Sequence, residues 1–390
     1  MRINSAALKS AIINKTWQTA GRVATYGLSA ISQIDKLAAP FRPNGTLLAR
    51  TRPWLLQRFN SLAPPETLFG SEVVLDCFPY HEIAPEKTIL FFDATGTVLD
   101  IDRNTSTFSL RSGIKRSLAK AASQGFMVGL ISGDPFSLLE PNFTKPFAYG
   151  GDKPIYLATE LGAQVYELKK FTNHMIRTTE GFSLQEKIII KSAIEESFSE
   201  VLRETINLER EMANMSGQWI DLAQKLKPPY NQEKLSCTFV SSKIQVSFYK
   251  ITRWQDLHQK LMTSIKDKLD SKLPNCFIKI NRGKDYLDLN ITKTTKESAL
   301  KYLLELFRRE GRDTIIIGGD SGNDEELLFP EEQSLSGYRV YRFFCGDTRF
   351  GGSPTFKARF LQDPNAFYAG LGVSHTEAFL ARLTSQTPNH

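Results

Sequence analysis

Two apolar runs, Thr88-Ile89-Leu90-Phe91-Phe92 and Thr314-Ile315-Ile316-Ile317, each lead without a break into a turn that carries aspartate. A strand buried on both faces reads this way, because neither face is left for water. Strands of that kind predict an α/β chain built on a Rossmann-like, doubly wound parallel sheet with helices on both sides. Ligands of such sheets bind just beyond the carboxyl ends of the strands. Asp93 follows the first run at once, and Gly318-Gly319-Asp320-Ser321-Gly322-Asn323-Asp324 follows the second. One aspartate after one strand is ordinary turn or cap chemistry. The repeated arrangement makes a candidate site.

Asp320 and Asp324 on one short loop suit a hard cation, since Mg²⁺ typically takes one or two carboxylates plus substrate phosphate. A third apolar strand, Phe126–Ile131, ends in Ser132-Gly133. Further on, Thr294 and Glu297 have capping-box spacing, which places Lys296 in the first turn of a helix. A cation there opposes the helix dipole, so an anion facing Lys296 is expected. The bland readings are Ser132 as a helix cap, Lys296 as a solvated charge and Asp324 as a first-turn acid. Their joint occurrence after two such strands favours a site.

Taken in order, these segments resemble the four motifs of the haloacid dehalogenase superfamily of phosphatases and phosphotransferases. Asp93-Ala94-Thr95-Gly96-Thr97 is similar to the first motif, Ser132 to the second, Lys296 to the third, and Gly319-Asp320-Ser321-Gly322-Asn323-Asp324 to the fourth. The long insert between the second and third resembles the subclass with an α/β cap, which includes sugar-phosphate phosphatases. The resemblance covers roughly residues 86–373. It implies that Asp93 is the nucleophile and that Asp93, the Thr95 carbonyl, Asp320 and Asp324 hold Mg²⁺. It further implies that Ser132 and Lys296, with Gly96, Thr97, Gly133 and Asn323, hold phosphate. The expected activity is hydrolysis of a small phosphorylated metabolite through an aspartyl-phosphate.

One position departs from that pattern. Most phosphatases of the superfamily carry a second aspartate two residues after the nucleophile, as general acid and base, and here that residue is Thr95. A hydroxyl does not usefully protonate a leaving alkoxide at neutral pH, and positioned acid–base groups contribute about 10²–10⁴-fold. The resemblance therefore implies a slow phosphatase, or one whose leaving group departs easily. The motif is also similar to that of cation-pumping ATPases, where threonine accompanies a longer-lived aspartyl-phosphate. A phosphotransferase and a regulatory or binding protein on a phosphatase fold stay open as alternatives. Asp100 and Asp102 are candidates for supplying the proton instead.

At 390 residues the chain exceeds one ordinary core. The expected organisation is a basic, helical N-terminal extension over residues 1–70, core over 71–150, an inserted α+β cap over 151–285, and core again over 286–390. Within the cap region Gly162–Glu167 reads as an early cap strand, and a long helical stretch covers about Leu184–Ala213. Arg282 and Lys284, just before the return to the core, suggest a polar or anionic substrate body. Trp219, Tyr230 and Trp254 either stack on a sugar or pack in the cap.

Four scattered cysteines argue against a disulfide framework and against a zinc knuckle, and suit a reducing compartment. No apolar run reaches the roughly 18–20 residues of a membrane helix. The net charge of +7 admits nucleic acid, membrane surface or anionic metabolites as partners. The excess gathers in residues 1–60, where Arg2, Lys9, Lys15, Arg22, Lys36, Arg42, Arg50, Arg52 and Arg58 face only Asp35. Nucleic acid is accordingly not the favoured partner of the rest of the chain. The extension suits either an organelle transit segment or a partner-binding element, with a cytoplasmic location expected otherwise.

Overall fold

A computed structural model describes residues 78–386, apart from 103–106, 144–152, 170–171, 215–218, 229, 231–233, 250–254, 283–285 and 347–353. The expectations for residues 1–70, together with Lys284 and Trp254, lie outside the described residues.

The described strands are β1 (Thr88–Asp93), β2 (Leu99–Asp102), β3 (Thr107–Leu110), β4 (Met127–Ile131), β5 (Ile155–Thr159), β6 (Gln164–Lys169), β7 (Thr172–Thr178), β8 (Trp219–Asp221), β9 (Lys234–Val240), β10 (Lys243–Tyr249), β11 (Phe277–Arg282), β12 (Tyr286–Thr292), β13 (Thr314–Gly319), β14 (Arg339–Phe344) and β15 (Ala366–Tyr368). The large sheet runs β15-β14-β13-β1-β4-β5-β6-β7, parallel from β15 to β5. In β1, Ile89 and Phe91 pack into one apolar layer and Leu90 and Phe92 into the opposite one. That alternation with apolar residues on both sides is what two helical layers require. One layer contains the helices Ser112–Gln124 and Val373–Gln386, the other Lys296–Phe307 and Pro354–Gln362. From central β1 the chain first winds outward through β4 and later returns to the other side at β13. The order therefore reverses between β1 and β13, and a crevice opens there at their carboxyl ends.

A second, antiparallel sheet runs β11-β12-β10-β9-β8. Ile244, Val246 and Phe248 of β10, and Leu287, Leu289 and Ile291 of β12, face a separate apolar cluster shared with the helices Leu184–Ser197 and Gln255–Asp270. The intervening Lys243, Gln245, Asp288, Asn290 and Thr292 face the opposite way, toward the crevice. Period-two alternation gives this cap sheet one dry face and one polar face. Strands β2 and β3 form a hairpin whose Ile101 and Phe108 also border the crevice.

Three expectations are corrected. The strand read over Gly162–Glu167 as part of the cap is β6, which with β5 and β7 extends the core sheet by antiparallel pairing. Conversely β12, placed with the returning core, is an interior strand of the cap sheet, between β11 and β10. The helical stretch expected over Leu184–Ala213 ends at Ser197; a π-helical turn, Phe198–Leu202, follows, and Arg203 adopts left-handed backbone with φ +56°. A non-glycine residue in that region stops an α-helix.

Within the cap core, His258 is buried and stacks on Phe248 with ring centroids 3.7 Å apart. Burial pushes its pKa down to about 4. The folded protein thus keeps the imidazole neutral while the unfolded chain protonates near pH 6.5, so stability falls as pH drops from there toward 4. Between pH 7 and pH 5 the loss is about 2 kcal/mol. Urea unfolding at the two pH values should show this loss in the wild type and not in His258→Gln.

Candidate active site at the sheet crevice

The carboxyl end of β1 leaves Asp93 in the crevice, only 2% exposed. The chain then turns tightly, with the Gly96 amide donating to the Leu99 carbonyl at 2.8 Å and the Leu99 amide to Ala94 at 2.7 Å. Gly96 needs its φ of +89°, and a Cβ there would collide with the Asp320 carboxylate. The approach of the two loops is therefore written into that glycine. Thr97 is buried, its hydroxyl 3.5 Å from carboxylate oxygens of both Asp93 and Asp320.

The loop after β13 is held by Asp324, which accepts the Asp320 amide at 2.9 Å and the Ser321 amide at 3.1 Å through Oδ2. Its Oδ1 receives Lys296 Nζ at 2.5 Å, and the same ammonium donates to Asp93 Oδ1 at 2.6 Å. Lys296 is 1% exposed at the first position of its helix. The cap of that helix is one residue later than the spacing suggested: the Thr295 hydroxyl accepts the Ser298 amide at 3.1 Å, while Thr294 donates to the Glu160 carbonyl at 3.2 Å. Glu326 accepts the Lys296 amide at 3.0 Å.

Asp93, Lys296, Asp320 and Asp324, singled out at separate positions in the sequence, lie together in one cluster. Carboxylate oxygens of the three acids lie within 4.8 Å of one another. Burial, and then Asp324, holds the Asp93 carboxyl well above the usual range, with Lys296 opposing. Burial alone would lower the Lys296 pKa, but Asp324 and Asp93 outweigh it and the ammonium is held above the ordinary lysine range. Two of the three acids share the one ammonium of the cluster, so a net charge of −2 accumulates when all three are ionised. Buried charge of that sign calls for a cation, and an all-oxygen donor set suits a hard divalent one.

Thr95, Gly96, Gly133 and Asn323 border the same cavity of about 970 Å³. Ser132 is wholly buried, and its hydroxyl is turned to Asp134, accepting that residue's amide at 3.0 Å and donating to Oδ2 at 3.3 Å. The Thr95 hydroxyl donates to the same Asp134 oxygen at 2.7 Å. Arg282 ends β11, and its side chain, like Lys284, lies outside the described residues. Asp100 is occupied by Arg111, whose Nε lies 2.5 Å away. The Asp102 side chain is likewise outside the described residues, and Tyr230 packs on the cap core.

Sequence reasoning missed four residues. Asp134 stands two positions after Ser132, where an acid in a turn carries no distinguishing signal. Gly346 sits so close to the Asp320 carbonyl that any side chain would collide with it. Glu326 ties the cap strand β11 to the floor, pairing with Lys279 on one oxygen and the Lys296 amide on the other. Lys243 comes from the cap, and nothing in its local sequence signals that destination.

Residues 90–330 match the family of haloacid dehalogenase-like hydrolases, and the chain belongs to that family. Its fold is similar to the C-terminal domain of C. albicans trehalose-6-phosphate phosphatase, at 15% identity and TM-score 0.50 over 81% of this chain and 97% of that one. Aspergillus fumigatus trehalose-6-phosphate phosphatase matches at 13% identity and TM-score 0.44, over 77% of this chain and 94% of the other. C-terminally truncated Plasmodium falciparum IMP-nucleotidase matches at 9% identity and TM-score 0.48, over 99% and 100%. No curated protein sequence matches the chain. No helix among the described residues is long and apolar enough to cross a membrane.

Proposed function

We propose that this protein is a Mg²⁺-dependent phosphatase that hydrolyses a small phosphomonoester through an aspartyl-phosphate on Asp93. The observation that carries the reading is the buried Asp93 carboxylate, gripped by Lys296 and facing Asp320 and Asp324 at the floor of a polar cavity. Mg²⁺ held by Asp93, Asp320, Asp324 and the Thr95 carbonyl would offset repulsion between carboxylate and phosphate. Lys296 fixes one Asp93 oxygen, which leaves the other to attack phosphorus. The bond from phosphorus to the ester oxygen breaks and the alcohol departs toward the cap. Water then attacks the aspartyl-phosphate and regenerates Asp93.

The cap contributes Gln245, Asn281, Tyr286 and Asn290 to the cavity wall. Amide and phenol groups give and accept hydrogen bonds without charge, which suits a hydroxyl-rich body such as a sugar. Thr95 favours a second reading, in which phosphoryl transfer is slow or the protein only binds.

The full chain should release phosphate from sugar phosphates, 4-nitrophenyl phosphate or phosphotyrosine when Mg²⁺ is present, and lose this activity in EDTA. Absence of turnover on a broad panel of phosphorylated metabolites, with ligand-induced thermal stabilisation, would establish the binding reading instead. An acid at position 95 should raise turnover of alkyl esters. Because Asp134 already occupies the Thr95 hydroxyl, the change is paired as Thr95→Asp with Asp134→Asn. Turnover of the best sugar phosphate is expected to rise about 10-fold or more. An unchanged rate would refute the missing-acid argument.

A further inference from the structure

The cap enters the floor of the crevice at one lysine. Between β9 and β10 the turn Ser241-Ser242 packs on the core, with the Ser242 hydroxyl donating to the buried Glu160 carboxylate. Lys243 follows as the first residue of β10. Since Ile244 turns into the cap core, Lys243 turns toward the crevice, where it borders the same cavity as Asp93 and Thr95. It is 6% exposed, and its ammonium donates to the Gly133 carbonyl at 2.8 Å, beside Ser132 and Asp134. That bond uses one of three N–H donors, and Lys243 forms no ion pair among the described residues. A buried cation in this state is costly and gains most from an anion arriving in the cavity.

We propose that Lys243 is the catalytic acid and base of the reaction, protonating the leaving oxygen from the cap side in place of the aspartate that Thr95 replaces. This rests on the phosphatase reading above. In the first half, an Asp93 oxygen bonds to phosphorus, the ester P–O bond breaks, and the departing oxygen takes a proton from the Lys243 ammonium. In the second half, the neutral amine takes a proton from the attacking water, the Asp93–phosphorus bond breaks, and inorganic phosphate leaves. One water is consumed and the lysine is restored. Burial pushes the Lys243 ammonium below the usual lysine range, as does Lys296, while Asp134, Asp288 and Glu160 oppose. Such a lysine gives up its proton more readily than one in water. A lysine is ordinarily a weaker acid than a carboxyl group, in line with the expectation that easily displaced groups depart best.

The test compares an alkyl phosphate, glycerol 3-phosphate or the best sugar phosphate, with 4-nitrophenyl phosphate, whose leaving group needs no proton. Lys243→Met should lower kcat/KM about 100-fold or more on the alkyl ester and only a few-fold on the aryl ester. The alkaline limb of the alkyl pH profile, where the wild type loses its acid, should vanish in the variant. Its thermal midpoint should equal or exceed that of the wild type, because an unpaired buried charge has been removed. Lys243→Arg keeps the charge but not a transferable proton, so it should retain KM and lose kcat on the alkyl ester. Equal losses on both esters, or full alkyl turnover in Lys243→Arg, would overturn the assignment. If the Met variant does not fold, the Arg variant alone decides by the same criterion. Wild type that hydrolyses neither ester with Mg²⁺ present overturns the phosphatase reading itself, and this one with it.

Discussion

Asp93→Asn should abolish phosphate release, lowering kcat by at least about 10⁴-fold on alkyl and aryl esters alike. The amide has nearly the shape of the carboxylate but does not attack phosphorus. Equal loss on the two esters separates a missing nucleophile from a missing acid, which would spare the aryl ester. The same change should leave the fold intact or slightly stabilised. Asp93 is buried beside Asp324 with Asp320 near, and its carboxyl is held well above its usual range. Removing its charge relieves that repulsion, although it also costs Lys296 one partner. Phosphate release and thermal midpoint measured on one preparation check both halves. A variant retaining a tenth of wild-type turnover would contradict the nucleophile assignment.

Lys296→Met should damage activity and stability together. The ammonium lies between Asp93 and Asp324, both almost wholly buried. Breaking a buried pair from one side leaves the other side uncompensated, which typically costs about 3–5 kcal/mol. Here two carboxylates are stranded. Once the lysine is gone, Asp93 keeps the influences that raise its carboxyl and loses the one that opposes them, so the variant should be relatively more stable at low pH and lose stability as pH rises. The gap to wild type should therefore be wide at pH 7.5 and narrow at pH 5. Mg²⁺ should raise the variant's stability more than the wild type's, because it supplies the missing positive charge. Urea unfolding at the two pH values, with and without Mg²⁺, checks these signs. A gap that is independent of pH would mean that Lys296 is held by packing rather than by its acids.

What could be read in the sequence follows from how local each signal is. β1, β4 and β13 were visible because strands buried on both faces lack polar alternation. Asp93, Asp320 and Asp324 were visible because they follow such runs directly. Lys296 stood out through its dipole-opposed place at a helix start, although the cap residue proved to be Thr295. β6 was misplaced because its alternation suits either sheet, and only its pairing with β5 and β7 settles membership. That pairing joins segments by register, which local sequence does not record. The break near Arg203 was hidden because neither Gly nor Pro marks it in the sequence. Lys243 escaped because its significance depends on where a distant hairpin docks, and Gly346 because its neighbour is the backbone of a different loop.

The most direct test of the central proposal is to trap the phosphoryl group. The protein is mixed with a reactive phosphate ester and Mg²⁺, quenched in acid during turnover, and analysed by peptide mass spectrometry. The prediction is a phosphoryl adduct on the peptide bearing Asp93, at that residue, absent from Asp93→Asn. Sustained turnover with the adduct on another residue, or with no adduct and an active Asp93→Asn, would contradict it.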